Sequence, residues 1–109
     1  MQLRGIFAPV TTPFQAGTED VDLDAFSRNV RAHIADGLAG VVVAGSTGEA
    51  ALLSEDERRG LLIAARDETP ADRLVIAGCG AESTRLTVAR AKVAKEAGAN
   101  AVLVVAPHY

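Results

Sequence analysis

The sequence predicts an α/β fold built from repeated parallel βα units. Aliphatic runs end near Val10, Ala44, Ala77 and Ala106, at intervals of 34, 33 and 29 residues, the length of a strand with its helical return. The runs are continuously apolar rather than alternating, as in a parallel sheet covered on both faces. Capped helical segments separate them. Two architectures share this pattern, a doubly wound sheet and a (β/α)8 barrel. A whole barrel takes about 250 residues. The 109 residues therefore make a small open sheet or the first part of a barrel.

Each element has a local cause. Gly5 to Val10 reads as a first strand, kept short by Pro9 and Pro13, which cannot donate to a ladder. Gln15 to Val21 is a polar loop. Asp22 and Asp24 are both candidate caps for a first helix reaching about Asp36. Phe26, Val30 and Ile34 recur every four residues on its apolar stripe, and Gly37 ends it. His33 lies beside the stripe without clustered partners, so a partly exposed helix residue is expected rather than a metal ligand.

Leu38 to Ala44 is the second strand. Ser54-Glu55-Asp56-Glu57 then starts a second helix, with Ser54 capping and Glu57 reaching back. The acids suit the positive end of the helix dipole, so no metal is invoked. Leu61, Leu62 and Ala65 face inward, and Pro70 marks the stop. Leu74 to Ala77 is the third strand. Ser83 or Thr84 caps a third helix through Ala97, closed by Gly98. Ala101 to Ala106 is the fourth strand, with Pro107-His108-Tyr109 at its exit.

The totals exclude several classes. Hydrophobic residues are 49% and aromatic residues 4%, so the core is aliphatic. The net charge is −3 without a basic run, which argues against nucleic acid. No apolar run approaches the ~20 residues of a membrane span, and Met1 to Gly5 lacks the apolar centre of a secretory signal. One cysteine, Cys79, excludes an internal disulfide framework. A cytoplasmic protein without a cofactor is expected.

The chemistry-bearing residues gather at strand exits. Gly45-Ser46-Thr47-Gly48-Glu49 follows the second strand, with two adjacent hydroxyls between glycines. Such a turn exposes backbone N–H groups to an anion, although an ordinary strand-to-helix connection has the same composition. It lacks the lysine and spacing of a Walker loop. Gly78-Cys79-Gly80-Ala81-Glu82-Ser83 imitates a dinucleotide fingerprint, but Ser83 replaces the third glycine and no acid ends the next strand. Cys79 reads as a small buried residue rather than a nucleophile. Two histidines assemble no Ser-His-Asp triad. Ser46, Thr47, Cys79 and Tyr109 all lie where parallel α/β folds bind ligands. Tyr109, the only tyrosine, is open between a packing residue and a site residue.

Taken in order, these segments resemble the N-terminal part of the dihydrodipicolinate synthase / N-acetylneuraminate lyase family. The resemblance rests on Gly5 to Phe14, on Gly45 to Glu49 followed by Leu53 to Arg58, on Ala77-Gly78-Cys79-Gly80, and on Pro107-His108-Tyr109. It implies the N-terminal portion of a (β/α)8 barrel over residues 1–109, about three and a half βα units. It further implies a lyase acting on pyruvate or another 2-oxo acid through a lysine Schiff base, an electron sink for making or breaking a carbon–carbon bond. By resemblance, Thr47 and Gly48 bind substrate, with the Thr47 hydroxyl and backbone N–H on the carboxylate. Ser46 and Tyr109 are catalytic and form a proton relay. Full-length relatives are homo-oligomers, often tetramers.

The resemblance also has departures. The family's Schiff-base lysine lies on a later strand, and Lys92 and Lys95 sit within the third helix. The chain alone is therefore expected to lack turnover, and its open strand edges to make it self-associate. The positions matching the lysine-regulatory contacts, Glu55, Glu82, Leu86 and His108, do not carry the residues typical of regulated synthases, so lysine feedback is not expected. The segment from Gly80 to Thr84 leans toward the 4-hydroxy-2-oxoglutarate aldolase branch, with 4-hydroxy-tetrahydrodipicolinate synthase next. The alternative is a non-catalytic βα module that binds a small carboxylate.

Overall fold

The computed structural model describes residues 1–107. Its elements are β1 (Phe7–Pro9), α1 (Leu23–Ala35), β2 (Gly40–Val43), a single 3-10 turn (Ala50–Leu52), α2 (Glu55–Glu68), β3 (Leu74–Gly78), α3 (Thr84–Glu96) and β4 (Ala101–Leu103). The strands form one parallel sheet in the order β1-β2-β3-β4.

That order decides between the two architectures. A doubly wound sheet reverses its strand order at a switch point and places helices on both faces. Here each strand lies beside its predecessor, and same-handed returns put every helix on one face. Adjacent helices accordingly pack in sequence, α1 on α2 and α2 on α3. This is the arrangement of a barrel wall.

The core lies between that helical layer and the sheet. Val41 and Val43 of β2 and Val75 and Ala77 of β3 pair in register and are fully buried. They meet Phe26 and Val30 of α1, Leu61, Leu62 and Ala65 of α2, and Ala94 of α3. Burying an aliphatic or Phe side chain is worth roughly 1.5–3 kcal/mol, so this seam dominates the stability of the unit. Val42 and Ile76, on the opposite face, are only partly buried. The expectation of strands covered on both faces holds for the helical face alone among the described residues.

The helix ends follow the sequence closely. Asp22 accepts from the Ala25 amide, and Ser54 and Glu57 form a reciprocal capping box. Ser83 caps α3 through the Leu86 amide. Gly37 and Gly98, at φ 88° and 103°, close α1 and α3 in the left-handed conformation that favours glycine. β1, β2 and β4 are shorter than expected, whereas β3 runs one residue further than expected, to Gly78. β2 stops at Val43 because Ala44 turns to φ 56°, and β4 pairs only over Ala101–Leu103. The loop after β1 holds an isolated antiparallel bridge, Phe14 to Val21.

Candidate functional site

At the carboxyl end of β2 the chain makes a compact turn. Gly45 carbonyl accepts from the amides of Gly48 (3.1 Å) and Ala50 (3.2 Å), and Ser46 carbonyl accepts from Glu49 (3.0 Å). These bonds consume the later amides of the turn. The amides and hydroxyls of Ser46 and Thr47 have no partner among the described residues, and both side chains are exposed. Two adjacent N–H donors and two hydroxyls therefore stand free at a strand exit, the donor set that suits a carboxylate.

Gly48 differs from its neighbours. It is buried, and its N–H already serves the Gly45 carbonyl. A Cβ there would lie 3.1 Å from Val10 O and 3.3 Å from Ala44 Cα. Thr12, buried after β1, donates its hydroxyl to Gly48 O at 2.7 Å. Gly48 thus shapes the turn, and any contact with a carboxylate would share a donor that is already engaged.

Two further supports were not evident from the sequence. Arg58, 6% exposed, reaches from α2 to Ala50 O (2.7 Å) and Gly78 O (3.1 Å). Burial and the neighbouring Arg90 guanidinium push its pKa down. Arg90 of α3 donates to Gly80 O at 2.8 Å and pairs with Glu55 at 2.8 Å. That hydrogen bond holds the Glu55 carboxyl below the ordinary carboxylate value. One signal did exist: Arg58, Leu61, Leu62 and Ala65 share one helical face, so an arginine occupies a core position. Cys79 lies just behind Gly78, buried, its thiol pushed up by burial. That environment suits a packing residue.

The turn opens on a broad cleft of about 790 Å3, bounded by Ser46, Glu49, Gly80, Leu86 and Leu103 among others. Ser46 lines it, and Thr47 stands exposed beside it without lining it. Glu55 belongs instead to a smaller cavity between α2 and α3. Lys92 and Lys95 are exposed on α3 and do not line the cleft. His33 is partly buried near the end of α1. Tyr109 and His108 lie outside the described residues. Among the described residues no group of three His, Cys, Asp or Glu side chains is placed to hold a metal. No helix of the described residues is long and apolar enough to cross a membrane.

Comparison with known proteins identifies the family and the fold. The family model described as the dihydrodipicolinate synthetase family matches residues 2–109. A 4-hydroxy-tetrahydrodipicolinate synthase of Salinibacter ruber is 41% identical over the whole chain, which covers 36% of that relative. The enzyme of the same name from Rhodopseudomonas palustris is 43% identical over 97% of the chain and 35% of its own length. Among solved structures, a dihydrodipicolinate synthase family protein from Coccidioides immitis superposes with a TM-score of 0.93 at 39% identity, over 96% of this chain and 35% of that one. Dihydrodipicolinate synthase from Aquifex aeolicus gives 0.91 at 32% identity, over 98% and 36%. These neighbours are (β/α)8 barrels, and the sheet described above matches their N-terminal part. The chain spans about a third of the length of the curated relatives it matches.

Proposed function

The chain belongs to the dihydrodipicolinate synthetase family, and from that premise we propose that it supplies the carboxylate-holding corner of a Schiff-base lyase acting on pyruvate or another 2-oxo acid. One observation carries the reading: the free amides and hydroxyls of Ser46 and Thr47, side by side at a strand exit. Thr47 takes the substrate carboxylate through its hydroxyl and N–H. The Ser46 hydroxyl, on the cleft wall, passes a proton to or from the oxygen of the reacting centre. Tyr109 continues that relay. Gly48 keeps the turn tight beneath both donors. The curated relatives' name favours the 4-hydroxy-tetrahydrodipicolinate synthase chemistry. The segment from Gly80 to Thr84 favours the 4-hydroxy-2-oxoglutarate aldolase branch.

The imine-forming amine is not supplied by Lys92 or Lys95, which are exposed on α3 away from the cleft. Incubation of the 109-residue chain with pyruvate and borohydride should therefore leave its mass unchanged, and a trapped adduct on either lysine would overturn this assignment. The position of the two lysines also favours a second reading, a module that binds carboxylates without chemistry. Titration followed by amide NMR separates the two. Saturable shifts at Ser46 and Thr47 with pyruvate, about tenfold weaker in Thr47→Val and not reproduced by acetate, support the 2-oxo acid site. Equal binding of acetate supports the module, and no shift at either residue removes both.

A further inference from the structure

The turn that carries Ser46 and Thr47 is anchored by one buried cation. Arg58 lies on the core-facing side of α2 in the helix's first turn. Its Nη2 donates to Ala50 O at 2.7 Å, eight residues back, and its Nη1 to Gly78 O at 3.1 Å, on β3. Ala50 in turn donates its N–H to Gly45 O, which also accepts from Gly48. Arg58 therefore grips the foot of the turn and the exit of the neighbouring strand in one planar fork. The rest of its environment keeps it there. Glu55 Oε2 stands 3.9 Å from Nε, and Glu55 is itself held by Arg90. Nε has no hydrogen-bond partner among the described residues, so the guanidinium's two engaged nitrogens are both spent on backbone carbonyls.

We propose that Arg58 is the positioning residue of the site: it fixes the Gly45–Ala50 turn against β3, so that the Ser46 and Thr47 donors are held in place before any ligand arrives. A buried arginine is an expensive way to fill a core position, because its charge must be desolvated. A fork with two donors in fixed geometry is what distinguishes it from a lysine or an aliphatic residue. Its positive charge also lies at the foot of the turn that carries the free Ser46 and Thr47 amides, and would add to their attraction for a carboxylate. Only the consequence for ligand binding rests on the functional reading above. The order of the empty turn does not.

Amide hydrogen exchange on the unliganded chain tests this with Arg58→Lys, which keeps the charge but replaces the planar fork by a point donor. The amides of Gly48, Glu49 and Ala50 should exchange at least about tenfold faster, the loss expected for a charge-assisted hydrogen bond. Amides of α1 around Phe26 and Val30 should change less than about twofold. A role in general stability would accelerate both groups together, and either that result or no change in the turn overturns the proposal. If Arg58→Lys does not fold, the wild-type chain decides. Its Arg58 Nη protons should appear as separate, slowly rotating resonances, and free rotation of the guanidinium overturns the assignment. Pyruvate affinity should fall about tenfold in Arg58→Lys. Absence of pyruvate binding in the wild type counts against the functional reading alone, since the exchange pattern still judges Arg58.

Discussion

At the scale of the residue, Gly78 is where the two sides of the site touch. A Cβ on Gly78 would collide with Ala44 O and Ala44 C, the point at which β2 turns out of the sheet. Ala44 itself holds φ 56°, a left-handed conformation that costs a non-glycine residue of order 1 kcal/mol. Gly78 is not free to retreat, because Arg58 binds its carbonyl and β3 is paired with β2 at Ala77 and with β4 at Gly78 itself. Gly78→Ala should therefore destabilise the chain by about 1–3 kcal/mol, read as a lower denaturation midpoint. Gly60→Ala is the control. Gly60 lies inside α2 with nothing near its missing Cβ, so alanine there should add about 0.5–1 kcal/mol. Equal effects at the two sites would remove the close-approach argument. Ser46 and Thr47 were legible in the sequence because they are adjacent and follow an apolar run. The contacts of Thr12 and Arg58 were not: Gly48 lies 36 residues from Thr12, Ala50 and Gly78 lie 8 and 20 from Arg58, and local pattern carries no such pairing.

At the scale of the element, helices were legible almost to the residue. Their ends are set by contacts three residues long: Asp22 to Ala25, Ser54 to Glu57, Ser83 to Leu86. Strand ends depend on pairing with a neighbour, so the expected runs to Ala44 and Ala106 were longer than the observed strands. What joins α2 to α3 was also hidden. Glu55 suits the positive end of the helix dipole, and it is also the partner of Arg90 across the helix interface. Its folded pKa is lowered, first by the Arg90 hydrogen bond. A lowered carboxylate pKa contributes stability that is fully present above the unfolded value of 4.5 and lost as pH falls through the folded value. The stability difference between the wild type and Glu55→Gln should thus be constant near neutrality and shrink below about pH 4.5. Glu55 is half-exposed, so the difference at neutral pH is small. A gap that widens on acidification would contradict the pairing. Thermal melts across pH measure it.

At the scale of the whole molecule, the sequence left two architectures standing because both share strand spacing and apolar runs. The deciding variable is which face each helix covers, and that is a property of strand order, visible only once β1-β2-β3-β4 are seen in sequence. The same order makes β1 and β4 the edges, each with one unpaired ladder among the described residues. Val102, Leu103, Val104 and Val105 are 45–58% exposed on and just beyond the β4 edge, and Leu86, Val88 and Val93 of α3 are exposed too. A parallel edge with apolar side chains on both faces is a template for further pairing. The 109-residue chain studied by itself should therefore self-associate, with a sedimentation-derived mass that rises with concentration. Placing a charge on the edge with Val102→Lys should shift it toward the monomer, because a lysine there must be buried whenever a second strand pairs. Val102 is in register with Ala77 and about half-exposed, so the substitution leaves the buried seam between the sheet and α1–α2 untouched. The helical signal should persist in the variant. A wild-type chain that sediments as a monomer at every concentration and melts cooperatively would overturn the prediction, because the exposed edge would then not drive association.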